Sequence, residues 1–161
     1  MAAAVGRAVF PDHPSMSHTI DYKRVAPGAY DAMVGLERYQ KTASIERPLL
    51  ELIKIRASQL NGCAFCLDMH TRDAIAGGES NKRLHVVAAW REANCFTERE
   101  RGALAWTEAL TQLARAPIPD ELHHQVRETF SERELVDLTL AITTINSWNR
   151  LAVSFGLQIP D

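Results

Sequence analysis

Twice this sequence carries the same four-residue device for starting a helix, Thr97-Glu98-Arg99-Glu100 and Ser131-Glu132-Arg133-Glu134. In each, the hydroxyl accepts from the backbone N–H three residues on, and the glutamate there reaches back to the N–H of the hydroxyl residue. Two of the donors that every helix start leaves unpaired are satisfied together. No comparable signal for strands exists. From Pro27 onward no alternation of apolar and polar residues lasts more than a few positions, and no internal repeat or low-complexity tract occurs. The expected fold class is therefore all-α, a compact multi-helix subunit.

The remaining punctuation places the helices. Pro48 suits a first turn, where its missing N–H would be unpaired anyway, and Asn61-Gly62 supplies a stop that tolerates positive φ, predicting a helix over 48–61. A second covers 63–76 and ends at Gly77-Gly78, and Ser80 caps a third running to about Glu92. Helices follow each capping box, with Pro117-Ile118-Pro119 between them and a short helix over 119–130. The last helix distributes Leu135, Val136, Leu138, Leu140, Ala141, Ile142, Ile145, Trp148, Leu151, Ala152 and Val153 around its whole circumference. It must be covered nearly all round, either by a second subunit, making a homo-oligomer, or as the central helix of one subunit. Residues 1–18, with Pro11, Pro14 and no periodicity, are expected to be a mobile N-terminal segment in which Met16 is an alternative start; 19–161 are expected to form a single helical domain.

Composition excludes several functions. Eighteen Lys and Arg against twenty Asp and Glu leave a net charge of −2, which offers no general attraction to nucleic acid or anionic lipid. No apolar run approaches the roughly 18 residues of a membrane span, and the opening ten residues do not make an export signal, so a cytoplasmic location is expected. Three cysteines are an odd number and cannot form a disulfide framework; Cys63 and Cys66, three apart, suggest redox or metal chemistry instead.

Cys63, Cys66 and His70 stand at i, i+3 and i+7 of one predicted helix, within about 60° of arc. At the helix start, exposed N–H groups and the macrodipole favour a thiolate on Cys63, which makes Cys63 the nucleophile by position alone. His70, one turn past Cys66, is close enough to exchange a proton with it. Two thiols and a base are the parts of a two-cysteine redox cycle. A c-type haem site would need His at position 67, where Leu67 stands. Zinc could take Cys63, Cys66 and His70, but no fourth ligand follows at metal spacing. A purely structural cysteine pair is the remaining alternative.

Glu51, Cys63, Cys66 and His70 form an E-x11-C-x2-C-x3-H pattern. Together with the run Glu51-Leu52-Ile53-Lys54-Ile55-Arg56-Ala57-Ser58-Gln59-Leu60-Asn61-Gly62-Cys63, it resembles the core of the alkyl hydroperoxidase D (AhpD) and carboxymuconolactone decarboxylase family. The similarity extends from about Tyr22 to Phe155. The resemblance implies a small all-α subunit assembling into trimers or hexamers, with the site near a subunit contact. It further implies that Cys66 attacks a peroxide, that Cys63 resolves the sulfenic acid to a disulfide, and that Glu51 and His70 relay protons. The substrate would be hydrogen peroxide or an organic hydroperoxide and the donor a lipoyl or thioredoxin-type dithiol, with no metal or flavin required. The alternatives are a decarboxylase-like enzyme acting on a ring-derived acid, against which the cysteine pair argues, and a redox-sensing or partner-binding protein.

Periodicity alone places Glu51 elsewhere. The apolar stripe Leu49, Leu52, Ile53, Ala57 and Leu60 faces away from it, predicting a solvated first-turn carboxylate. Phe65 departs from relatives that put a His between the cysteines, so the relay must use Glu51, His70 or water. Asp73, three residues past His70, is a candidate to orient the imidazole or a solvated charge. His123 and His124 point about 100° apart and are read as surface or packing residues, Cys95 as a bystander, and Trp90, Trp106 and Trp148 as core or interface aromatics.

Overall fold

The structure, a computed structural model, describes residues 19–160; the segment expected to be mobile, 1–18, lies outside them. The described residues form eight α-helices and one 3-10 turn, with no strand among them. These are α1 (Tyr22–Val25), α2 (Pro27–Gln40), α3 (Arg47–Asn61), α4 (Ala64–Ala76), α5 (Asn81–Val86) with the 3-10 turn Val87–Ala89, α6 (Glu98–Thr111), α7 (Asp120–Thr129) and α8 (Glu132–Ser154). Among the described residues no helix is long and apolar enough to cross a membrane.

The helix starts are built as the residues dictate. Glu100 N–H donates to Thr97 Oγ1 at 3.2 Å while Thr97 N–H donates to Glu100 Oε2 at 2.8 Å, and Ser131 and Glu134 repeat the exchange at 3.3 and 2.8 Å. The helix expected over 80–92 stops at Val86. Past the 3-10 turn, Arg101 on α6 donates to the carbonyls of Trp90 and Ala93 at 3.0 and 3.1 Å and of Arg91 at 3.0 Å. A guanidinium thus satisfies carbonyls that have no helical donor and ties this turn to α6.

Helix α3 is the centre of the fold, packing against α4, α6 and α8. One side of it, Leu49, Leu50 and Ile53, meets Trp106 of α6 and Leu138, Ala141 and Ile142 of α8. Leu52 and Ile55 face Ala74, Leu84, Trp90 and Leu104 on another side. Ala57 joins Cys63, Cys66, Ile145 and Ala152 on a third. With neighbours on so many sides, every residue from Leu49 to Ile55 is buried, Glu51 and Lys54 included. The expectation of a solvated Glu51 fails here, because an amphipathic reading assumes one exposed face and α3 has almost none. By contrast α8 is covered on one face only: Val136 and Val153 stay 63% and 55% exposed.

A buried carboxylate ties the α2–α3 turn to α8. Asp137, 1% exposed, accepts from Tyr39 Oη at 2.8 Å, from Ser44 N–H and Oγ at 2.9 and 2.8 Å, and from Arg133 Nε at 3.0 Å. This tie holds the turn that leads into α3, the helix that carries Glu51.

Candidate functional site

The site begins at a backbone reversal. Gly62, at φ +65°, ends α3 in the left-handed conformation that a residue with a Cβ resists, and Cys63 N–H bonds back to Ser58 O at 3.0 Å. The turn delivers Cys63 to the cap position of α4, where its sulfur accepts the Cys66 N–H at 3.3 Å. Sulfur thus takes the place of the usual capping oxygen and lies where the helix start favours negative charge.

Both thiols are 2% exposed, yet their acidities diverge. A hydrogen bond from the Cys66 thiol lowers the Cys63 pKa to about 7 against the opposing effect of burial, with help from the Cys66 N–H and the Asn149 amide. The same bond, with burial, pushes the Cys66 thiol well above its ordinary value. Above that midpoint the reduced pair holds one proton and one negative charge between two sulfurs, and its titration belongs to the pair.

One turn along α4, His70 Nδ1 lies 2.9 Å from Glu51 Oε2, and the two residues are 6% and 7% exposed. Burial would raise the Glu51 pKa, but the His70 hydrogen bond, with Lys54 and Arg47 nearby, outweighs it and holds the carboxyl below its usual value. With Nδ1–H donating to that carboxylate, Nε2 is the basic position of the neutral ring. The carboxylate that hydrogen-bonds His70 is thus Glu51, and Asp73 lines the same cavity. Glu51, His70 and Asp73 each offer an atom within 4.8 Å of the others, a grouping able to hold a cation. Among the described residues, the zinc alternative of Cys63, Cys66 and His70 does not form such a grouping.

Cys66, Glu51 and His70 line a cavity of about 350 Å³; Cys63 does not. Its walls are Phe65, Met69, Tyr30 and Trp148, and Tyr22 of α1 forms its outer edge. The Tyr22 ring lies 5.5 Å from that of Phe155 and 6.3 Å from that of Tyr30, and Lys23 Nζ stands 5.0 Å over Tyr30. Trp148 is held by its indole N–H on Glu37 Oε1 at 2.9 Å, and Glu37 pairs with Lys54 at 3.6 Å. A larger groove of about 900 Å³ runs along α7 and α8 but contains neither cysteine nor the Glu51–His70 pair, so chemistry and not size locates the site.

The structure brings together all four residues singled out in sequence. It also adds some that the sequence did not reveal. Asn149 is fully buried, donates to Ser58 Oγ at 3.1 Å and accepts from Asn61 Nδ2 at 2.9 Å while its amide faces the thiols. One signal did exist: Asn149 continues the buried stripe Ile142, Ile145 and Ala152, and a polar residue on such a stripe needs a partner. Tyr22 and Tyr30 carried no signal, since their role depends on how α1 folds over the cavity. Trp148, read as core or interface, lines the cavity. Cys95 is a free, half-buried cysteine whose backbone carbonyl accepts from Arg83, and His123 packs edge-on to Trp106 at 5.2 Å.

A helical subunit with a CxxC pair at the start of one helix and a Glu–His pair beside it has the AhpD-like fold. Residues 27–109 match the model of the carboxymuconolactone decarboxylase family, and the chain belongs to that family. The uncharacterized protein YdfG of Bacillus subtilis is 45% identical over 141 residues, spanning 88% of this chain and 96% of that protein. A crystal structure from Agrobacterium tumefaciens, of a protein of unknown function with a suggested AhpD antioxidant-defence role, is 40% identical at a TM-score of 0.86, covering 89% of this chain and 99% of that one. An alkylhydroperoxidase AhpD core from Ralstonia eutropha JMP134, an uncharacterized peroxidase-related protein, shares the fold at 17% identity and a TM-score of 0.76, covering 86% and 74%.

Proposed function

We propose that the chain is a thiol-dependent peroxidase that reduces hydrogen peroxide or organic hydroperoxides by a dithiol–disulfide cycle at Cys66 and Cys63. The observation that carries this is the division of labour in the cavity. Cys66 lines it beside the Glu51–His70 pair, and Cys63 lies behind within hydrogen-bond reach. The shared proton passes from the Cys66 sulfur to Cys63. The Cys66 thiolate then attacks the terminal peroxide oxygen, so that an S–O bond forms and the O–O bond breaks. A solvent proton taken up at Nε2 of His70, with the Glu51 carboxylate balancing the transient charge on the ring, passes to the departing alkoxide or hydroxide, and Cys66 is left as a sulfenic acid. The Cys63 thiol condenses with it, releasing water and forming the disulfide, which a lipoyl or thioredoxin-type dithiol reduces. Each turnover consumes one proton at the leaving oxygen and returns one when the disulfide is reduced.

The reverse order, with Cys63 attacking as in a thioredoxin-like pair, is favoured by the charge resting on Cys63. Access favours Cys66, because the cavity opens on that sulfur and a peroxide cannot be attacked by an atom it does not reach. The suggested antioxidant role of the Agrobacterium relative supports a peroxidase, and the apolar, half-covered α8 supports a homo-oligomer, a trimer or hexamer. A pair that must be kept reduced suits the cytoplasm. The test is a peroxide titration of the reduced protein, with mass mapping of the Cys63–Cys66 disulfide and steady-state turnover with a lipoyl or thioredoxin donor. Stoichiometric disulfide formation with turnover is expected. Oxidation without turnover would point to a redox-sensing protein, and no reaction would favour decarboxylase-like chemistry.

A further inference from the structure

Glu51 has two sides. With the Glu37–Lys54 ion pair it lines the cavity that holds Cys66, and the same three residues also line a second cleft of about 610 Å³ between the end of α2 and the start of α3. The second cleft is lined by no thiol and no aromatic ring; besides those three, its polar lining residues are Gln40, Lys41 and Arg47. Gln40 is 5% exposed, and neither its amide nitrogen nor its amide oxygen has a hydrogen-bond partner. A buried amide in that condition is costly, and the two atoms ask for a partner that both accepts and donates. An anion only accepts; water does both.

We infer that Glu51 exchanges protons with solvent through this rear cleft, along water ordered by Gln40, and not through the peroxide cavity. This rests on the peroxidase cycle proposed above, in which one proton is consumed and one returned per turnover. An organic hydroperoxide that fills the front cavity displaces its water, so a proton source on that side would be cut off when it is needed. The charged groups around the relay fit a rear path. Arg47 of α3 forms no ion pair among the described residues and, with Lys54, helps the His70 hydrogen bond hold the Glu51 carboxyl below its usual value, while Lys41, just past the end of α2, lines the same cleft. Glu37 is engaged by Lys54 and Trp148, and His70 and Asp73 of α4 face Glu51 from the other cavity. Gln40 touches no reacting atom and acts as a positioning residue.

The test needs no peroxide. In the reduced protein, solvent exchange of the His70 side-chain N–H is followed by NMR, before and after Cys66 is benzylated in a Cys63→Ser background to fill the front cavity. Exchange should persist after benzylation within a few-fold. Gln40→Met, similar in length but unable to hold water, should slow exchange tenfold or more, with partial recovery in imidazole buffer. Its melting temperature should equal or exceed the parent's, since an unpaired amide is removed. Gln40→Glu, which restores a polar carrier, should exchange at least as fast as the parent and serves as the second variant if Gln40→Met folds poorly. Exchange abolished by benzylation, or unchanged in Gln40→Met, would overturn the rear route. Wild-type turnover with peroxide is read separately, so failure of the peroxidase cycle and failure of the rear route are distinguishable.

Discussion

The acidity of Cys63 is the most quantitative consequence of this site. Its thiolate has three donors, the Cys66 thiol, the Cys66 N–H at 3.3 Å and the Asn149 amide, and the first contributes most against burial. A midpoint of about 7, where an ordinary thiol has 9.0, means that at pH 7 about half of the pairs carry the charge instead of about 1%. The difference is equivalent to about 3 kcal/mol. Cys66→Ala removes the largest donor and leaves burial in place, so the Cys63 midpoint should return to about 9 or above and its reactivity at pH 7 should fall about fiftyfold. Cys66→Ser keeps an O–H donor and should lie between. The assay is the pH dependence of iodoacetamide alkylation, with thiolate absorbance as a second probe, in a Cys95→Ser background so that one thiol reports. A Cys66→Ala protein that titrates with the parent would refute the shared-proton account and assign the charge to the backbone and Asn149.

Other consequences can be checked directly. Asn149→Leu should raise the Cys63 midpoint as well, by less than Cys66→Ala does, in the same alkylation profile. Glu51→Gln and His70→Gln should slow single-turnover oxidation by about 10²–10⁴-fold near neutrality in stopped flow, because the leaving oxygen loses its proton donor. Cys63→Ser should consume about one equivalent of peroxide and leave a sulfenic acid on Cys66 that dimedone traps; a sulfenic acid found on Cys63 in Cys66→Ser would reverse the order of attack. Burial works against ionised Asp137, but its bonds from Ser44, Tyr39 and Arg133 hold its pKa well below the usual 3.8. The stability it contributes is therefore present above about pH 4 and lost as pH falls towards the folded value. Asp137→Ala should cost about 3 kcal/mol at neutral pH by urea unfolding, and Asp137→Asn should flatten the acid limb of the stability profile.

Local chemistry was legible because it acts over one turn of chain. Thr97, Ser131, Ser80, Pro48 and Gly62 started and stopped helices as their side chains dictate, and the three-residue spacing of Cys63 and Cys66 placed both thiols on the first turn of α4 without any distant contact. His70 followed from the same helical arithmetic. Glu51 was legible only as a family spacing, since its own helix pattern pointed it at solvent.

Tertiary structure decided everything that depends on which faces are covered. Helix α3 is enclosed by α4, α6 and α8, and that enclosure, invisible in a 3.6-residue period, buries Glu51 against His70. Arg101 holds the turn after α5 through carbonyls eight to eleven residues away, a tie that no propensity within 80–92 announces. Tyr22 and Asn149 reach the thiols from opposite ends of the described chain. Sequence determines a side chain's chemistry and its place on a helix, whereas burial, partners and hence acidity arise only when distant segments pack, because electrostatics depends on distance through space and not along the chain.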